Sequence, residues 1–461
     1  MNTSVSLTRL PVELLDQIFR STSQSAQHSL CTVSKTFNSI STRVLYEDIV
    51  LQSSQQIVSC CRTLAAKSSM AKHVKKLTCI SDRDTSPRFH AYYNLLLSAL
   101  TSITELRDLA LALDEPSIRQ ILTICTWHRL LSFRCLRYPS SSPLHSFLSR
   151  HTSTLECLCI SPGPDIPDPH SYRIEPITPI LMPNLRIYLG PSEFAVSLIP
   201  GSKVSNASLL FDPPSNAAHV EEVVEALTKS GSEVWNVNFA RSGWNLDLLE
   251  LISVRLSGVR ALGVHNVVAV GVVGDSTMKY YLQALETVLP RFKDLETVFV
   301  TCNPDIYDEE NMAVLDSDFE TARVWGGLCP RLSRITFPST ITWCRLQPTL
   351  WFPMGDDRRI AQWAVSKVVK REYPELIGVL ERGGVEGEGL LARALALADV
   401  VGGDGEGEGD EEGGDEEEEV AEGDVDVGEG VEGDGEGGEN VAMDEIELEA
   451  NVAENDEIGS G

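Results

Sequence analysis

The sequence predicts an α/β protein: a small N-terminal helical block, a strand–helix solenoid behind it, and a disordered acidic tail. Three observations predict this. Apolar residues at helical spacing fill residues 1–51, short apolar strands recur at a near-regular interval through residues 52–382, and Gly, Glu and Asp take over from Gly383 onward. Within that last zone, residues 383–401 read as a short helix or linker and residues 402–461 as the tail.

The first block opens with a helix start signal. Thr8 or Arg9 precedes Leu10-Pro11, and Pro suits the first turn, whose N–H groups lack helical partners. Glu13 then lies near the positive end of the helix dipole. Leu10, Leu14, Leu15, Ile18 and Phe19 fall on one apolar face. The polar stretch from Ser21 to Ser25 breaks the pattern. A second short helix is expected to carry Leu30, Val33, Phe37 and Ile40, again three and four apart, and Ile49-Val50-Leu51 is β-like.

Through the middle zone a short strand, written apolar-x-x-apolar-x-apolar, recurs. It is read at residues 74–80, 106–111, 130–136, 155–160, 185–189, 207–211, 234–239, 259–264, 295–300 and 332–337. Helical periodicity lies between the strands at 92–100, 118–127, 220–227, 246–256 and 280–289. The strand spacing, mostly in the mid-twenties, is about that of leucine-rich repeats. No single unit buries its apolar face, so the units must stack, with parallel strands on one side and helices on the other. Trp235, Trp244, Trp325, Trp343, Trp351 and Trp363 are expected to fill the later units and a C-terminal cap, with one or two on a binding face.

The net charge of -29 is unevenly placed. Residues 401–461 hold 26 acidic side chains and no Lys or Arg, leaving 41 acidic against 38 basic residues in the remainder. A near-neutral body with an acidic tail argues against nucleic-acid binding, which needs a basic patch. Like charges, abundant Gly and few apolar side chains predict that the tail stays disordered. One isolated helix is expected at 390–401, and the acidic–apolar alternation at 441–448 reads as a solvated run or a short docking motif. No apolar run reaches the ~20 residues of a membrane span; the nearest, 264–273, contains His265 and Asn266.

The N-terminus lacks a basic region followed by an apolar stretch, so no secretory signal is read. The eleven cysteines, odd in number and irregular in spacing, are then read as reduced thiols of a cytoplasmic or nuclear protein. Cys60-Cys61 and Cys157-x-Cys159 are the close pairs, and both are assigned to packing. No metal spacing, nucleophile elbow, zinc-hydrolase helix, phosphate loop or kinase set occurs, so no catalytic residue, metal or cofactor is assigned. Gly403, Gly405, Gly407 and Gly409 alternate with Asp404, Glu406 and Glu408, which would repel phosphate. His90, His151 and His265 are expected to be surface or core residues.

One stretch resembles a known family. Leu10-Pro11-x-Glu13-Leu14-Leu15-x-x-Ile18-Phe19, followed by Leu30-Cys31-x-Val33-Ser34-Lys35-x-Phe37-Asn38-x-Ile40, resembles the F-box. Residues 21–27 are polar where that family often has an Asp-Leu pair opening its second helix. Leu45 to Leu51 looks like the exit of fungal F-box proteins with leucine-rich-repeat-like bodies. The resemblance implies a substrate-recognition adaptor of a cullin–RING ubiquitin ligase, itself not an enzyme. It would dock the Skp linker subunit, and through it a cullin, by Leu10, Pro11, Glu13, Leu14, Ile18, Leu30, Val33 and Phe37. The repeats would hold a substrate protein that the sequence does not name. The second reading is a scaffold outside any ligase, whose repeat surface and acidic tail hold basic partners such as histones.

Overall fold

The computed structural model describes residues 10–81, 90–136, 141–161, 178–211, 217–244, 246–267, 275–302, 312–354, 360, 363–364 and 366–367. All lie in the first of two compact units, Met1–Asp404; the second is Gly405–Gly461. The tail, the helix expected at 390–401 and the alternating stretch at 441–448 lie outside the described residues, as does most of the Pro-rich loop after Ser161.

Three helices come first: α1 (Val12–Ser21), α2 (Gln24–Leu30) and α3 (Lys35–Glu47). The single second helix expected over Leu30 to Ile40 is corrected. Leu30 closes α2, Val33 lies in the turn, and Phe37 and Ile40 belong to α3. The polar stretch does not end the helical region, because Ser23 caps α2, its side chain accepting from the Ala26 N–H.

Thirteen strands then form one sheet in chain order. They are β1 (Asp48–Leu51), β2 (Lys76–Ile80), β3 (Asp108–Ala112), β4 (Ser132–Cys135), β5 (Cys157–Ile160), β6 (Ile187–Pro191) and β7 (Asn206–Leu210). β8 (Asn236–Arg241), β9 (Ala261–Asn266), β10 (Thr297–Cys302), β11 (Arg334–Thr336), β12 (Thr342–Gln347) and β13 (Leu350–Met354) complete it. β1 to β11 pair in parallel, each with its sequence neighbour, and β12 and β13 reverse to antiparallel. The α/β class is thus borne out, and all ten strands read from the apolar pattern are present. The closing hairpin was not foreseen.

Helices occupy the connections, among them α4 (Ser54–Ala66), α5 (Ser68–Ala71), α6 (His90–Ser102), α7 (Glu115–Ile124), α8 (Ser141–Arg150), α9 (Ser192–Leu198) and α10 (Ala217–Thr228). Further along lie α11 (Leu246–Arg255), α12 (Asp275–Val288) and α13 (Met312–Leu328). A parallel strand pair requires such a crossover. Strand residues such as Leu109, Phe133, Leu158, Tyr188, Val237 and Val298 form one core with helix residues such as Ile118, Phe147, Val223 and Leu249.

The last unit is closed by aromatic packing. Trp325, Trp343, Trp351 and Trp363 are buried, whereas Trp235 is 40% exposed. Gly326 on α13 is needed there, since a Cβ would stand 2.8 Å from the Trp351 ring. The eleven cysteines form no disulfide. Cys157 and Cys159 are half-buried on the side of β5 away from the helices, while Leu158 and Ile160 fill the core, so this pair does not pack inward as expected. His90 is exposed, His151 is buried and His265 is half-buried. Among the described residues no helix is long and apolar enough to cross a membrane.

Candidate functional site

The N-terminal block has its own small core, separate from that of the sheet. Leu15 and Phe19 of α1 meet Phe37 and Ile40 of α3, with Leu10, Leu30 and Val44 packed around them. Chain entry is set by Pro11, the N-cap residue, whose carbonyl accepts from the Leu14 and Leu15 N–H groups at 3.1 Å. Pro11 is therefore the residue before the helix, not its first residue as the sequence suggested. Ser34 caps α3 by accepting from the Phe37 N–H at 3.2 Å, which places Phe37 at the third helical position, facing α1.

The five apolar residues read as one face of α1 divide into two flanks. Leu15 and Phe19 turn inward. Leu14 and Ile18, one turn apart, are 45% and 40% exposed, and Pro11 is exposed beside them. Val33 is 62% exposed in the turn before α3. Val12, not among the sequence candidates, is also exposed. Glu13 is exposed, while Leu10 and Leu30 are half-buried. Phe37, a candidate contact residue, lies in the core at 4% exposure and supports the surface from behind.

Two polar features hold this arrangement, and neither was visible in the apolar pattern. Gln27 is buried, and its side-chain amide donates to the carbonyls of Phe19 at 2.8 Å and Thr22 at 3.1 Å. It thereby adds a donor to two carbonyls at the end of α1, where helical partners run out. The second is a chain of charges. Arg43 and Arg20 reach Asp16 at 2.7 and 3.2 Å, Arg20 also pairs with Glu47, and Lys75, just before β2, reaches Glu47 at 2.7 Å. Burial alone would raise the Glu47 carboxyl, but hydrogen bonds from Arg20 and Lys75 and their charges outweigh it and hold it below its usual range. Glu47 ends α3 and Asp48 begins β1 with no residue between them. Helical block and sheet are therefore joined both covalently and by charge.

Residues 7–47 match the F-box domain family. A comparison with curated proteins found no match. F-box domains bind Skp-type linker subunits in cullin–RING complexes, and the match supports an adaptor role of that general kind. The polar middle of this F-box region is consistent with the match, since α2 forms where the sequence lacks the Asp-Leu pair. What a partner would meet on it is Pro11, Leu14, Ile18 and Val33, apolar side chains that the region's own core leaves uncovered. Among the described residues no group of three or more His, Cys, Asp or Glu side chains is placed to hold a metal ion.

Proposed function

We propose that the chain is a substrate-recognition adaptor that docks the Skp linker subunit, and through it a cullin, by the F-box region, and holds a substrate protein on the strand–helix body. The carrying observation is the divided apolar face of α1: Leu15 and Phe19 make the core, and Leu14 and Ile18 stay exposed on a region matched to a linker-binding family. Leu10 and Pro11 set the entry to this surface, Glu13 and Val33 flank it, and Leu30 and Phe37 shape it from within. The regular strand order supports reading residues 52–382 as one leucine-rich-repeat-like solenoid. Ubiquitin transfer would fall to other subunits.

The test is co-purification of the full-length chain with the Skp linker. Leu14→Asp with Ile18→Asp should lower affinity about 30-fold or more, the scale of losing an interface anchor. Both residues are exposed, so the melting temperature should hold. Recovery of the linker at the level of the unaltered chain would end this reading. It would leave the scaffold reading, which is favoured by the 26 acidic residues of 401–461.

A further inference from the structure

From β5 to β10 the strands alternate a buried residue, turned toward the helices, with a half-buried one on the opposite face of the sheet, except that in β9 Gly263 on that face is itself buried. Parallel register lines the latter up in rows: Asn206 stands beside Asn236, and Ser208, Asn238, Gly263 and Phe299 stand in line across four strands. Across β5–β10 this open face carries no Asp, Glu, Lys or Arg. Charge returns on either side, with Arg134 opposite Cys159 and Arg334 opposite Thr297. His265, at the end of the strip, is held to Thr301 at 2.8 Å, and burial keeps its imidazole below the ordinary range, hence neutral at pH 7. In a chain in which 23% of residues are charged, a neutral strip of this width has the composition of an interface core rather than of a solvated face.

Its centre is made of amides. The Asn238 Nδ2 donates to the Asn236 Oδ1 at 3.3 Å, and the Asn206 side chain makes no hydrogen bond among the described residues. Gly263 makes room for this arrangement. A Cβ there would lie 1.9 Å from the Asn238 Oδ1, so the Asn238 amide rests over β9 because position 263 has no side chain. A side-chain amide offers the same donor and acceptor pair as a peptide group, and adjacent strands repeat it at about 4.8 Å.

We propose that this strip, centred on Asn206, Asn236 and Asn238, binds an uncharged, extended polypeptide segment of a partner through that segment's backbone amides, with Leu189 and Phe299 as flanking apolar contacts. This names the class of substrate for the body and rests on the reading of the body as the substrate-holding part. Within the strip a phosphate-bearing or strongly acidic ligand finds no cation and a basic one no carboxylate, the adjoining charges of Glu156, Arg186, Arg260 and Glu296 standing one residue outside it at the strand entries. An extended segment exposes the peptide groups that three side-chain amides can satisfy, whereas a folded surface hides them in its own secondary structure.

The test needs no linker subunit, so its outcome is separable from that of the docking experiment. Short random peptides displayed on phage are selected on the full-length chain, and enriched peptides are measured by fluorescence anisotropy. The expected result is enrichment of peptides poor in Asp, Glu, Lys and Arg, whose affinity changes by less than about twofold between low and high salt. Asn206→Ala with Asn236→Ala should weaken them about tenfold or more. Ser208→Lys, which places a charge in the strip without removing an amide, should do the same, and neither variant should lower the melting temperature. No enrichment, enrichment of charged peptides, steep salt dependence, or unchanged affinity in both variants would each overturn the proposal.

Discussion

Phe19 of α1 and Phe37 of α3 meet edge to face, their ring centroids 5.2 Å apart and their planes at 82°. The contact is the middle of a core that, among the described residues, contains two further buried apolar residues, Leu15 and Ile40. Phe37→Ala should cost about 3–5 kcal/mol, more than so small a core retains. Circular dichroism should register lost helix, and linker binding should fail, while the sheet keeps its own transition. Val33→Ala, four residues away but exposed, should move stability by no more than about 0.5 kcal/mol. Equal losses in the two variants would refute the division between core and surface.

Gln27 is a polar residue doing a core residue's task. Replacing it with Ala removes both donors from the end of α1. The Phe19 carbonyl still accepts from Thr22, whose hydroxyl lies at 2.8 Å, so the loss should be about 1 kcal/mol rather than the ~3 kcal/mol of a fully orphaned group. Thermal denaturation of Gln27→Ala against the unaltered chain checks this.

His151 is buried between Trp127 and Phe147. Burial, with the nearby Arg150 charge, pushes its imidazole down to about 4 from the ordinary 6.5. The unfolded chain therefore binds the proton first. Stability should be unaffected by this residue above pH 6.5 and should fall as pH drops toward 4, by at most about 3 kcal/mol. His151→Leu should flatten that slope in denaturant titrations run across the window.

Asp318 on α13 has the opposite sign. Burial raises its carboxyl to about 7, against a hydrogen bond from the Ser339 hydroxyl at 2.6 Å that works to lower it. The folded chain thus keeps this proton longer than the unfolded one, and stability declines as pH rises from about 4 through 7. Asp318→Asn retains an acceptor for Ser339 and carries no charge. It should stabilise the chain above pH 7 by on the order of 2–4 kcal/mol and have little effect at pH 4, as read from melting curves at the two pH values.

The strands were legible because their apolar residues are spaced by packing. Packing and pairing are offset, however. Leu106, Leu130, Leu155, Leu185, Val259, Leu295 and Leu332 are all buried, yet each precedes its strand by two residues and sits on the turn that enters it. A reading built on burial therefore starts nine of the ten strands early, β7 being the exception. The apolar residues of α1 were legible, but not which of them pack, since helical spacing alone does not say which flank of α1 meets α3. Leu14 and Leu15 look alike in sequence and differ only in what stands opposite them. α2 was hidden for a different reason: it is held by Gln27 and Ser23 rather than by an apolar stripe. The β12–β13 hairpin was hidden because Trp343 and Trp351 read as filling for the later units and a C-terminal cap, with no strand pattern assigned to them.

A parallel array is in principle endless, since each strand offers the next the edge it has itself used. β12 reverses that direction and β13 restores it, and β13, the last strand among the described residues, carries Pro353, which has no N–H to give to a ladder. A second copy arriving at this end would meet a strand that lacks the donor of one residue. The described sheet thus ends on a strand that carries a proline, one of the devices by which sheet edges are kept from pairing with another chain.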